Sequence, residues 1–210
     1  MTYRWEVAAR IAQERVVAII RSTSAEEAVE VGRSLLGSGI RVLEVALTTP
    51  GGVDAIRRLA GEVGSDQLLG AGTVLDEAMA AAAVDAGATF LVSPGLVPAV
   101  MRAGSRRGVP TLPGAGSTTE IMAAMEAGAE MIKLFPASAL GPGFVQAIRP
   151  VLPAAALVPT GGVSAASASE WLDAGAVAVG VGGALTRGNP EAIAGRAREL
   201  LAAIAVGASV

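Results

Sequence analysis

The sequence predicts an α/β protein: a (β/α)8 TIM barrel with a short N-terminal helix, formed as a single domain over residues 1–210. Three observations lead there. Glycines that end amphipathic stretches and precede apolar runs recur at Gly39, Gly64, Gly87, Gly108, Gly128 and Gly175, at intervals of 25, 23, 21, 20 and then 47 residues, the last being two units. Three segments, "DAGATFLVSP", "EAGAEMIKLFP" and "DAGAVAVGVGG", are near copies of one another. Each places a glycine where a helix ends and an apolar or β-branched run where a strand begins, which is an αβ junction. Finally, the apolar runs are nearly continuous rather than alternating, as a parallel sheet covered by helices requires. Eight such units in about 190 residues favour a closed barrel, with a doubly wound open sheet as the alternative.

In chain order, the residues before 16 read as a helix. The strands expected after it are VVAIIR (16–21), RVLEVAL (41–47), QLLGAGTV (67–74), TFLVSP (89–94), PTLPGAG (110–116), EMIKLFP (130–136), ALVPTGG (156–162) and AVAVGVGG (176–183). Helical patterns lie between them. In "SAEEAVEVGRSLLGSG", Ser24 is the expected N-cap and Glu27, three residues on, completes a capping box.

Composition narrows the chemistry. The 210 residues are 52% hydrophobic but only 3% aromatic, so one large core must be built from Ala, Val, Leu and Ile. A formal charge of −3 argues against a nucleic-acid or anionic-membrane partner. The chain has no cationic leader and no apolar run near 18 residues, so a soluble cytoplasmic protein is expected. Cysteine and histidine are both absent. That excludes disulfides, thiol nucleophiles, Ser-His-Asp chemistry and histidine-based zinc sites, so no metal and no cofactor are expected.

Carboxylates, guanidiniums, hydroxyls, backbone amides and one amine remain. Lys133 is the only lysine among 16 basic residues, and it lies inside the apolar run Met131–Pro136. Polar residues at strand ends of a barrel are where function sits, and here they are Arg21, Glu44, Thr48, Thr73, Ser93, Lys133 and Thr160. Glu44 is the one carboxylate within a strand pattern, Val42–Leu47. A strand lysine is commonly a mouth residue snorkelling to water, and Glu44 could be its structural ion-pair partner. The functional reading is more specific. Burial lowers the pKa of an amine, a neutral amine attacks a ketone to form a Schiff base, and a buried carboxyl can shuttle the protons. A second constellation is formed by "PTGGVS" (159–164) and "GVGGAL" (180–185), which end the last two strands. Glycine-rich loops in those positions can offer backbone N–H groups to a phosphate.

Six blocks then match a known pattern in order and spacing: "LEVALTTP" (43–50), "GAGTVL" (70–75), "VSPGL" (92–96), "PG" with "STTE" (113–120), "IKLFPA" (132–137) and "PTGGV" (159–163). Across nearly its whole length the chain resembles the 2-keto-3-deoxy-6-phosphogluconate (KDPG) aldolase / 4-hydroxy-2-oxoglutarate aldolase family, the class I aldolases of the Entner–Doudoroff pathway. The resemblance implies a metal-independent (β/α)8 enzyme that acts on a small keto acid and assembles as a homotrimer. It implies Lys133 as the Schiff-base lysine and Glu44 as the general acid/base, working through a bound water. It also implies Thr73 as a hydrogen-bonding partner of the pyruvyl carboxylate, and Pro94 and Phe135 as pocket walls. Gly161, Gly162 and Gly182 would form the phosphate loop. Two positions depart from the best-known pattern. Thr48 stands where an arginine clamps the substrate carboxylate, with Arg21 as the substitute, and Gly183 stands where many relatives carry serine. "FPASALGP" resembles the 6-phosphogalactonate branch. A non-catalytic phosphate-binding barrel is the reading from another class.

Overall fold

A computed structural model describes residues 3–206. Helix α1 (Arg4–Glu14) is followed by β1 (Val16–Ile20), α2 (Ala25–Gly37), β2 (Val42–Ala46), α3 (Gly52–Ala60) and β3 (Leu68–Gly72). Next come α4 (Glu77–Asp85), β4 (Phe90–Val92), α5 (Pro98–Arg107), β5 (Thr111–Leu112), β6 (Gly114–Ala115), α6 (Thr118–Glu126) and β7 (Ile132–Leu134). The rest are α7 (Ala137–Leu140), α8 (Pro142–Ile148), β8 (Leu157–Pro159), α9 (Ala165–Asp173), β9 (Val179–Val181), α10 (Gly183–Thr186) and α11 (Pro190–Val206). Every expected strand is present, each shorter than its apolar run by up to three residues at either end.

The strands form two parallel sheets, one of six strands in the order β5-β4-β3-β2-β1-β9 and one of three in the order β6-β7-β8. The expected fifth strand is split between them by Pro113, which has no N–H to donate to a ladder. Its carbonyl still accepts from the Lys133 N–H at 2.9 Å. At the other margin a single parallel bridge joins Thr160 to Gly180.

Side-chain parity assigns the two faces. In β1, Val16, Ala18 and Ile20 pack outward with the helices, while Val17 and Ile19 face a separate apolar cluster. The same alternation puts Leu43 and Val45 outward with Val42 inward, and Ile132 and Leu134 outward with Met131 inward. By parity Glu44 and Lys133 therefore belong to the inward face. Val7 and Ile11 of α1 join this inner cluster with Leu68, Phe90, Leu112 and Val158, so α1 packs against the inner face.

Two local expectations are corrected. Five of the six repeat glycines have positive φ, but Gly64 does not. Helix α3 has already ended at Gly61, and Gly64 lies in a loop where its N–H donates to Gln67 Oε1. Ser24 does cap α2, accepting from Glu27 N–H at 3.2 Å, but the Glu27 carboxylate bonds the backbone and hydroxyl of Thr23, not Ser24. Thr23 competes successfully because it offers two donors. Among the described residues no helix is long and apolar enough to cross a membrane.

Candidate active site

The site is built on the carboxyl ends of strands that start as pure hydrocarbon. Lys133 sits mid-strand in β7, between Gly114 of β6 and Val158 of β8. Glu44 sits in β2, between Ile19 of β1 and Gly70 of β3. These strands are in different sheets and pair with none in common, yet Lys133 Nζ lies 3.8 Å from Glu44 Oε1. The contact is made across the inner face, with Glu44 only 3% exposed and Lys133 8%. Its length leaves it beyond direct hydrogen-bonding range.

Gly72 makes room for this carboxyl group. A Cβ at that position would overlap Glu44 Oε1 and its carboxyl carbon. The glycine of "GAGT" thus keeps Glu44 turned toward the lysine. Burial pushes the Glu44 carboxyl above the usual carboxylate range, against the opposing pull of the Lys133 and Arg21 charges. Desolvation wins over both cations, so the group is set up to hold a proton.

Above the pair opens a cavity of about 600 Å3 lined by Arg21, Lys133, Phe135, Thr160, Gly161, Gly162, Gly182 and Gly183, together with Ile19, Val163, Ala184, Thr186 and Arg187. Its lining contains three basic side chains, Arg21, Lys133 and Arg187, and no acid. The Phe135 ring stands 5.5 Å from Lys133 Nζ and forms part of the wall. Thr160 is buried, its hydroxyl donating to the Val158 carbonyl at 3.2 Å.

The glycine loop is fixed from below. Ala137 and Ser138 N–H groups donate to the carbonyls of Thr160 and Gly161 at 2.8 Å. Gly161 and Gly162 have φ of +90° and +92°, and a Cβ on Gly162 would meet Ser138 Cβ at 2.7 Å. Only glycine combines this backbone with that approach.

Eight of the twelve sequence-predicted site residues meet in or line the cavity, and Glu44 lies directly behind Lys133. Thr48, Thr73 and Pro94 are not among the lining residues. Thr48 and Pro94 are exposed, and Thr73, next to Gly72, has φ of +57°, a costly conformation for a β-branched residue. Arg187 was not singled out by the sequence. An arginine in a loop ordinarily reads as a solvated surface group, and its only signal was its place three residues beyond "GVGGA".

A parallel α/β fold with a buried amine and carboxyl group beneath a cation-rich cavity has the outline of a carbon–carbon lyase. The chain belongs to the KDPG and KHG aldolase family, whose model matches residues 7–193. It is 39% identical over 158 residues to a KHG/KDPG aldolase of Escherichia coli (strain K12), covering 75% of this chain and 74% of that protein. It is 33% identical over 173 residues to the 2-dehydro-3-deoxy-6-phosphogalactonate aldolase of the same organism, covering 82% and 84%. Among solved structures, the KDPG aldolase of Legionella pneumophila, with pyruvate captured at low pH as a covalent carbinolamine intermediate, superposes with a TM-score of 0.80. That match has 32% identity and covers 95% of this chain and 97% of that one.

Proposed function

We propose that this protein is a metal-independent class I aldolase that cleaves a 2-keto-3-deoxy-6-phospho sugar acid to pyruvate and glyceraldehyde 3-phosphate. The observation that carries the reading is the buried Lys133–Glu44 contact beneath the cavity. The neutral Lys133 amine adds to the C2 ketone to give a carbinolamine. Protonated Glu44, through a bound water, delivers a proton to the carbinolamine oxygen, which leaves as water to form the protonated imine, an iminium. The Glu44 carboxylate then takes the C4 hydroxyl proton. The C3–C4 bond breaks, its electrons flow into the iminium, and glyceraldehyde 3-phosphate departs from the enamine. Reprotonation at C3 and hydrolysis of the imine release pyruvate and restore the amine. Metal independence fits the donor set, since the chain has no His or Cys and the described residues contain no group of three acids that could hold a metal ion.

The remaining assignments follow the same reading. Thr73 bonds the pyruvyl carboxylate, Arg21 replaces the absent arginine at Thr48, and Pro94, Phe135 and Thr160 shape the pocket. The amides around Gly161, Gly162, Gly182 and Gly183 meet the phosphate. The two sheets are arcs of one closed (β/α)8 barrel forming a single domain, with β5 and β6 as one strand interrupted at Pro113. The Thr160–Gly180 bridge supports the closure. The active assembly is a cytoplasmic homotrimer.

Borohydride reduction with pyruvate, read by intact mass and peptide mapping, tests the chemistry, and native mass of the same sample reads the assembly. One reduced pyruvyl adduct on the Lys133 peptide, lost in Lys133→Ala, is expected. No adduct, or one confined to the N-terminal amine, leaves the non-catalytic phosphate-binding reading instead. The relatives' names keep the C4 epimer, 2-keto-3-deoxy-6-phosphogalactonate, as a second substrate, and Gly183 keeps 4-hydroxy-2-oxoglutarate as a third. Relative kcat/KM ranks them.

A further inference from the structure

We propose that Arg187 is the specificity-determining residue for the distal end of the substrate, and that it selects a phosphate monoester over an uncharged hydroxyl group. The inference rests on the aldolase reading for what the substrate is, and on the cavity geometry for which residue grips its far end.

Arg187 follows α10 and lines the same cavity as Lys133. Its guanidinium lies over Gly183: a Cβ placed there would sit 3.4 Å from Nε and 3.6 Å from Nη2. The loop end that carries no side chain of its own therefore has an arginine fork resting on it. The root of that side chain is fixed. Arg196 of α11 donates to the Leu185 carbonyl from both Nε and Nη2, at 3.2 and 3.1 Å, and its Nη2 also bonds the Arg187 carbonyl. No acid within 4.0 Å neutralises Arg187 among the described residues, whereas Arg33, Arg58, Arg106 and Arg107 are each paired with a carboxylate.

A guanidinium presents several N–H donors in a plane, which matches two oxygens of a phosphate better than it matches one hydroxyl. Arg21 and Arg187 are the two arginines of the lining, one following β1 and the other following α10. They suit a substrate that is anionic at both ends, with the reacting ketone at Lys133. The missing serine hydroxyl at Gly183 is thereby replaced by a charge.

The test compares Arg187→Ala with the wild type on 2-keto-3-deoxy-6-phosphogluconate and on its unphosphorylated counterpart, 2-keto-3-deoxygluconate. The ratio of kcat/KM for the phosphorylated over the unphosphorylated substrate is expected to fall about 10- to 100-fold, mostly through KM, as loss of a charge-assisted bond predicts. Arg187→Lys should recover part of it. Calorimetric titration of sn-glycerol 3-phosphate, against glycerol as the control, reads the same grip without any turnover, and should weaken at least about tenfold in Arg187→Ala. An unchanged ratio together with unchanged glycerol 3-phosphate affinity overturns the assignment. Failure of pyruvate trapping in the wild type would instead remove the aldolase reading, and the titration would still decide the role of Arg187.

Discussion

Glu44 can be tested by changing one atom. Glu44→Gln keeps the shape that Gly72 accommodates and removes the transferable proton, so turnover should fall roughly 10²- to 10⁴-fold while pyruvate trapping at Lys133 persists slowly. Near-normal turnover would remove the shuttle role. The same variant has a stability signature. The folded pKa of Glu44 is raised above its ordinary 4.5 by burial, so the native state binds more protons than the unfolded chain in the window above that value. Wild-type stability contributed by this group is therefore present at low pH and lost as pH rises through the folded pKa. Glu44→Gln, which never ionises, should gain in melting temperature over the wild type as pH rises above 4.5, with the two converging below it. A difference of opposite sign would mean that the Lys133 charge outweighs desolvation. Lys133 and Glu44 were legible in the sequence because composition and placement within apolar strand runs isolate them: one amine and one strand carboxylate in a chain without histidine. Arg187 was not, because it lies over Gly183 only once the residues after Gly182 form a helical turn, and "GVGGAL" reads as a glycine loop with no helix signal.

At the scale of elements, six of the eight strands were legible as an apolar run after a glycine, those at 16–21 and 156–162 by their apolar run alone, and the ends were not. The break at Pro113 could have been read from proline's missing N–H, yet the run "PTLPGAG" hides it by remaining apolar on both sides. Gly64 shows the limit of reading by repeat alone: the spacing is right, but α3 stops at Ala60 with Gly61 as its cap. The "PTGG" loop is an element whose sequence is tightly dictated by its backbone. Gly162→Ala would hold an L-residue at φ +92° with its Cβ 2.7 Å from Ser138. We expect a loss of about 1–3 kcal/mol in denaturant unfolding, the range for a forced backbone conformation. A neutral change would show that the turn relaxes without cost.

At the scale of the molecule, the parallel α/β class and its helical cover were dictated by the unbroken apolar strands, and the inner face by their alternation. Helix α1 was legible only as a helix. Nothing local states that Val7 and Ile11 would complete the inner cluster rather than an outer one. The division into two sheets has a consequence for how the protein fails. Lys133 travels with the three-stranded sheet and Glu44 with the six-stranded one, so their 3.8 Å separation works as a gauge of the gap between the two. A slip of about 1 Å would leave every helix and ladder intact and still put the proton donor out of line, a misplacement that can cost on the order of a hundredfold in rate. On warming, catalysis should therefore fade several degrees before ellipticity does. Coincident loss of both would mean that the sheets are clamped as one body and that the molecule wears out all at once.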